Sequence, residues 1–100
     1  MSDRFGWSSL RKQLTTAFSL LRSSLLEIGP RPRVDRIEEF IDVGEYVLAL
    51  EHLCFLLEEL HLPVPKSAYT LIEEAGTTML RNGAQLSAAT WENLRGQLTD

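Results

Sequence analysis

The sequence predicts an all-α fold, a compact antiparallel bundle of four to five helices that forms a single domain over residues 1–100. Apolar residues recur every three or four positions over long stretches, and glycine and proline separate these stretches. No segment shows the strict alternation of a half-buried strand. A chain of 100 residues that is 44% hydrophobic and 24% charged has an ordinary globular composition, and one core is enough for its size.

The first predicted helix carries one apolar stripe along about six turns. Ser2 or Asp3 is expected to cap its start. Gly29 and the prolines of segment 29–33 are expected to end it, because proline does not continue a helix. The stripe residues, which we expect to face the core, are Trp7, Leu10, Leu14, Phe18, Leu21, Leu25 and Ile28.

A short second helix and a longer third helix are predicted next. Asp35 is expected to cap the second helix, and Gly44 interrupts the chain before the third, which runs from Glu45 to about Leu60. The inward residues of the second helix are expected to be Ile37, Phe40 and Ile41. Those of the third are expected to be Tyr46, Leu50, Leu53, Leu57 and Leu60. Further apolar residues widen this stripe, so the third helix is predicted to be central.

Two more helices complete the predicted bundle. Ser67 is expected to cap the fourth helix after a loop with two prolines, and Asn82-Gly83 is expected to end it. Its core residues are expected to be Leu71, Ile72, Ala75 and Met79. The fifth helix is expected to begin from a cap at Ser87 or Thr90 and to pack through Trp91, Leu94 and Leu98. Short connections favour antiparallel neighbours.

Charge is distributed unevenly along the chain. Residues 1–36 hold seven basic and three acidic residues, a balance of +4, whereas residues 37–100 hold three basic and eleven acidic residues, a balance of −8. Residues 37–60 alone carry seven carboxylates and no Lys or Arg. An acidic helical surface on a small chain indicates a basic binding partner. The pI near 5.1 argues against direct binding of nucleic acid, because such proteins present a basic surface.

A candidate binding surface lies on the third helix. If the predicted core residues of this helix face inward, Leu48, His52, Phe55 and Glu59 lie on the opposite side. An apolar pair inside an acidic border is typical of a protein interface. Burial of Leu48 and Phe55 by another helix is an alternative that the sequence leaves open. The predicted partner-binding residues are Asp42, Glu45, Leu48, Glu51, His52, Phe55, Glu58 and Glu59.

Patterns for catalysis or metal binding are weak. Glu58 and His61 have the Glu-x-x-His spacing of di-iron bundles, but the other histidine, His52, has Ala49 at the position where the second carboxylate is required. Phosphate-binding loops, paired CxxC motifs and HExxH are absent from the sequence. Cys54 is interpreted as a small core residue. The chain is therefore predicted not to be an enzyme and to use no metal or cofactor.

The apolar runs bear on localisation. They are far shorter than the ~18 residues that a membrane span requires, and the N-terminus lacks an apolar signal segment. We therefore expect a cytoplasmic chain without membrane contact, present as a monomer or weak homodimer.

Two resemblances share residues of the third helix. Residues 44–49, GEYVLA, resemble the opening of the second helix of a tetratricopeptide repeat, although no second copy follows at a period near 34. A broader resemblance covers residues 40–60, the loop HLPVPKS, the helix LIEEAGTTML and the closing Trp-Glu-x-Leu. In these segments the chain is similar to the MafI-like immunity proteins of bacterial polymorphic toxin systems. Those proteins are small helical cytoplasmic chains that neutralise a cognate toxin domain in contact-dependent inhibition.

This resemblance implies a protein toxin as the partner, often a ribonuclease or another nuclease. The acidic surface of the chain agrees with a nuclease partner, because a nuclease presents a basic substrate groove that an acidic inhibitor can occupy in place of phosphates. The alternative function is a small helical adaptor that docks a partner helix in a groove between its own helices. Toxin binding through an acidic face is expected to depend on salt, whereas helix docking is expected to depend on apolar contacts.

Overall fold

Four α-helices, a 3₁₀ helix and one short strand pair form the part of the chain that the computed structural model describes, residues 7–86 and 91–99. The α-helices are α1 (Trp7–Ile28), α2 (Arg31–Asp42), α3 (Tyr46–Glu59) and α4 (Lys66–Arg81). Strand β1 (Val64–Pro65) pairs in parallel with β2 (Leu98–Thr99), and the 3₁₀ helix spans Glu92–Gln97. The predicted all-α bundle is confirmed. The two-residue strand pair is an addition that no alternation in the sequence indicated.

Helix α1 packs most extensively on α4 and buries the stripe that the sequence predicts. The buried members are Leu10, Leu14, Phe18, Leu21 and Leu25. Ile28 is instead 57% exposed, so its predicted burial is wrong. It is the last residue of α1, directly before Gly29 and Pro30. The side chain of Trp7 and the predicted caps Ser2 and Asp3 lie outside the described residues.

Helix α2 begins at Arg31, so the predicted start at Asp35 is wrong. Pro30 is the N-cap in an extended conformation, and Pro32 lies in the first turn. Proline is compatible with this turn because its missing N–H would have no partner there. The helix buries Val34, Ile37 and Ile41 and leaves Phe40 half-buried. Gly44 then adopts a left-handed backbone (φ 82°) and separates α2 from α3, as predicted.

Helix α3 contacts α1, α2, α4 and the 3₁₀ helix, as expected of a central helix. It begins one residue after the predicted start at Glu45 and ends at Glu59. The predicted core residues Tyr46, Leu50, Leu53 and Leu57 are buried, and Leu60 is half-buried just past its end. Ala49, Cys54 and Leu56 widen the buried side.

Helix α4 starts at Lys66 with Pro65 as its N-cap, so the predicted cap at Ser67 is wrong. Pro65 is extended (φ −60°, ψ 144°) because it belongs to β1, and the helix starts directly after it. At the other end, Gly83 has a left-handed backbone (φ 89°), which agrees with the predicted stop. The core residues Ile72, Ala75 and Met79 are buried, and Leu71 is half-buried.

The predicted fifth helix is a 3₁₀ helix that buries Leu94. The proposed caps Ser87 and Thr90 lie outside the described residues. Leu98 was expected to pack inward but is 40% exposed, because pairing of β2 with β1 ends the helix before it.

Side-chain contacts hold this C-terminal segment across the ends of α3 and α4. Gln97 Nε2 donates hydrogen bonds of 2.8 Å to the carbonyl oxygens of both Leu57 and Leu62. The Trp91 ring lies against Gly76, where a Cβ atom would overlap the ring. The segment also reaches the outward side of α3, where Asn93 Nδ2 donates a hydrogen bond of 3.4 Å to Glu58 Oε2.

Candidate functional site

The outward side of α3 carries six residues that we call the outer face: Leu48, Glu51, His52, Phe55, Glu58 and Glu59. Their spacing of three, four and seven positions places them along one side of the helix. Leu48 is 38% exposed and Phe55 is 59% exposed. Neither side chain is fully buried by another helix of the described chain, although Leu48 is mostly covered and Arg33 of α2 lies beside the Phe55 ring.

Carboxylates border this apolar pair. Leu48 and Phe55 are two helical turns apart, about 10 Å along the axis. Glu58 and Glu59 are exposed near the end of α3, and Glu51 is half-buried between the two apolar residues. Glu45 is exposed immediately before α3 and one turn before Leu48. The outer face thus combines apolar surface with a border of negative charge.

Helix α2 contributes two residues to one edge of the outer face. The Phe40 ring packs on His52 with 5.0 Å between ring centroids. Arg33 Nη1 donates a hydrogen bond to Glu59 Oε2, and its guanidinium carbon lies 5.8 Å from the centroid of the Phe55 ring. These contacts follow from antiparallel packing of α2 on α3. Arg33 was not predicted for this site, because 26 residues separate it from Glu59 and local spacing gives no signal for the contact.

Asp42 does not belong to the outer face, although the sequence grouped it there. It lies 3.9 Å from Arg11 of α1. Asp42 follows Phe40 by two positions, a rotation of about 200° around the helix. Since Phe40 contacts α3, Asp42 points to the other side of α2. The other predicted partner-binding residues lie on the outer face or, for Glu45, immediately beside it.

The core side of α3 holds Cys54, directly before Phe55 in the sequence. Burial raises the pKa of the Cys54 thiol from 9.0 to about 12, and repulsion of the thiolate by Glu58 and Glu51 acts in the same direction. A thiol held protonated in this way is a poor nucleophile. Cys54 therefore acts as a core residue.

The Glu58–His61 pair does not share a helical face. His61 lies beyond the end of α3 and has a left-handed backbone (φ 52°). Within residues 7–86 and 91–99, no group of three or more His, Cys, Asp or Glu side chains is placed to hold a metal ion. None of the described helices is long and apolar enough to cross a membrane.

The outer face has the chemistry of a binding surface. It offers exposed apolar area, carboxylate oxygens that accept hydrogen bonds and one guanidinium, which together suit a partner with basic and apolar side chains. Comparison with known proteins gives no further guide, since no family model, curated protein or solved structure matches the chain.

Proposed function

We propose that this chain is an immunity protein that binds and neutralises a toxin domain, a nuclease with a basic substrate groove. The observation that carries the proposal is the exposure of Leu48 and Phe55 inside a border of carboxylates on α3. The other large apolar residues of this helix pack into the core or its margin. The two that remain partly in water lie on one side of the helix, where a partner can cover both.

Charge identifies the class of partner. A nuclease groove is lined by basic residues that bind phosphates, and the carboxylates of the outer face present the same sign of charge as phosphates do. Leu48 and Phe55 would form the dehydrated centre of the interface, and the carboxylates would form its rim. The resemblance of residues 40–60 to MafI-like immunity proteins supports the same partner.

A small helical adaptor is the second candidate function. An apolar depression of about 240 Å³ opens between α1, α3 and α4 and is lined by Leu10, Val47, Met79, Asn82, Gly83 and Ala84. Apolar side chains of a partner helix would enter it. Such binding would depend little on salt, whereas binding through the outer face would weaken as salt rises.

The proposal implies a toxin domain encoded beside the gene for this chain, and the test uses that domain. A nuclease assay should show inhibition at equimolar protein, and surface plasmon resonance should measure association and dissociation at low and high salt. The variant Glu45→Lys/Glu58→Lys should associate roughly tenfold or more slowly at low salt, because rim charges steer the encounter. Phe55→Ala should instead dissociate faster, by about tenfold or more, as loss of an aromatic anchor does.

The matched control is Glu73→Lys/Glu74→Lys, which makes the same change in net charge on the exposed side of α4. It should leave association nearly unchanged, and circular dichroism should show all variants to be folded. If this control slows association as strongly, the outer face of α3 is not the binding site. If the adjacent toxin is neither bound nor inhibited, the immunity function itself is rejected.

A further inference from the structure

We propose that Glu59 and the Phe55 ring form a subsite for an arginine side chain of the partner, and that Arg33 occupies this subsite in the unbound chain. The proposal rests on the proposed function for its partner, a basic protein. It adds a mechanism, because Arg33 has to leave the subsite before the partner's arginine can enter. Arg33 is therefore an intramolecular competitor of the partner.

The contacts of Arg33 show what the subsite recognises. Glu59 accepts a hydrogen bond from the guanidinium, whose carbon lies 5.8 Å from the centroid of the Phe55 ring. That distance is within the ~6 Å range of a cation–π contact. A guanidinium suits both groups, because it is planar, donates several hydrogen bonds to a carboxylate and stacks on aromatic rings. A lysine ammonium satisfies this pair of groups less well.

The exposure of these groups permits exchange. The side chain of Arg33 is 41% exposed and that of Glu59 is 46% exposed, so water competes for their ion pair. Phe55 keeps 59% of its surface in solvent even with Arg33 beside it. A second arginine can therefore approach the ring and carboxylate while the bundle stays folded. Arg33 then moves into water.

The ion pair of Arg31 with Asp35 provides the contrast. Arg31 Nε lies 3.8 Å from Asp35 Oδ2, four positions later in α2, and both side chains lie on the same exposed face of that helix. Arg33 instead connects α2 to the outer face of α3, where the exposed apolar pair lies. Loss of either arginine removes one positive charge, but only loss of Arg33 vacates the subsite.

Competition by Arg33 lowers the apparent affinity for a partner arginine by the fraction of time that the subsite is occupied. The Arg33 charge also repels a basic partner. Arg33→Gln should therefore bind an arginine-rich ligand more tightly than the parent does. This direction distinguishes competition from a direct contact between Arg33 and the partner, which would weaken binding when Arg33 is removed.

The test titrates the full chain with hexa-arginine and hexa-lysine peptides at low salt by isothermal calorimetry. Arg33→Gln should bind hexa-arginine about three- to tenfold more tightly than the control Arg31→Gln does. The gain should be smaller for hexa-lysine. Adding Phe55→Ala to Arg33→Gln should remove the gain. Equal affinities of Arg33→Gln and Arg31→Gln, an equal gain for both peptides, or a gain that survives Phe55→Ala would each overturn the proposal.

Arg33→Lys covers the case in which Arg33→Gln weakens the packing of α2. It keeps the charge beside Glu59 but loses the planar group, so hexa-arginine should still bind more tightly than to the parent. Absence of that gain in a folded Arg33→Lys chain contradicts exchange. The peptides test the subsite without the toxin, so failure here leaves the immunity function standing. Intact peptide binding without toxin binding rejects the immunity function instead.

Discussion

Both sides of α3 carry large apolar residues, yet the bundle buries them fully on only one side. Leu50, Leu53 and Leu57 are at most 1% exposed, whereas Leu48 and Phe55 are 38% and 59% exposed. Hydrophobicity alone therefore does not separate the residues that hold the fold from those available to a partner. The neighbours make the difference, since α1, α2, α4 and the 3₁₀ helix pack around the core side, whereas only side chains of α2 and the 3₁₀ helix reach the edges of the outer face.

Charge differs between the two sides as well. The outer face carries Glu51, Glu58 and Glu59 together with the guanidinium of Arg33, all in contact with water to some degree. The core side carries Cys54, whose thiol is kept neutral by burial. Changes on the core side should therefore act on stability, and changes on the outer face should act on binding.

The largest expected effect is that of Leu53→Ala on the core side. Loss of a fully buried leucine side chain should lower the free energy of unfolding by about 2 to 5 kcal/mol. Leu48→Ala makes the same chemical change on the outer face and should cost less than about 1 kcal/mol. Urea denaturation followed by circular dichroism measures both. Similar losses of stability for the two variants would mean that the outer face contributes to the folded core as much as the core side does.

The next effect is a dependence of stability on alkaline pH through Cys54. Its pKa is about 12 in the folded chain and 9.0 when unperturbed, so above pH 9 the unfolded chain loses the thiol proton first. The folded chain then binds more protons than the unfolded chain, and stability falls as pH rises. The slope of this contribution approaches about 1.4 kcal/mol per pH unit between the two pKa values. Below pH 9 the contribution is constant.

Urea denaturation from pH 8 to 11 tests this dependence, with Cys54→Ala as the reference for the other groups that titrate there. The parent should lose stability more steeply than Cys54→Ala. A thiol reagent at pH 8 gives a second measurement, because Cys54 should react slowly in the folded chain. Phe55→Cys in the Cys54→Ala background should react fast, since its thiol lies on the outer face. Equal slopes or equal reactivities would show that Cys54 is not buried as described.

Local periodicity explains which parts of the fold were predictable from the sequence. The stripes of α1 and α3 repeat over several turns, and most of their core residues follow from spacing alone. Gly44 and Gly83 were predictable as helix boundaries because both adopt the left-handed backbone that glycine favours. Most of the outer face was predictable as well, as the complement of the buried stripe of α3.

Contacts between distant segments explain what the sequence did not reveal. Arg33 reaches Glu59 and Phe55 only because α2 packs antiparallel on α3, and Asp42 reaches Arg11 because α2 also packs on α1. The start of α2 was placed too late because prolines, read as breakers, are compatible with a first helical turn. The exposure of Leu98 depends on pairing with β1, which lies more than 30 residues earlier in the chain.

The smallest expected effect on stability is that of Phe55→Ala. Phe55 is 59% exposed, and its described ring contact is with Arg33, so its removal should cost at most about 1 kcal/mol. Phe18→Ala is the matched control, because Phe18 is 4% exposed and its loss should cost about 3 to 5 kcal/mol. Chemical denaturation of both variants, beside the binding assay for Phe55→Ala, separates the two roles.

A loss of stability near that of Phe18→Ala would show that Phe55 holds α2 against α3. Phe55 would then be part of the packed bundle, and weaker toxin binding by Phe55→Ala would reflect a disturbed fold. A small loss of stability together with faster dissociation would assign Phe55 to the interface, because only the bound state would then depend on its ring.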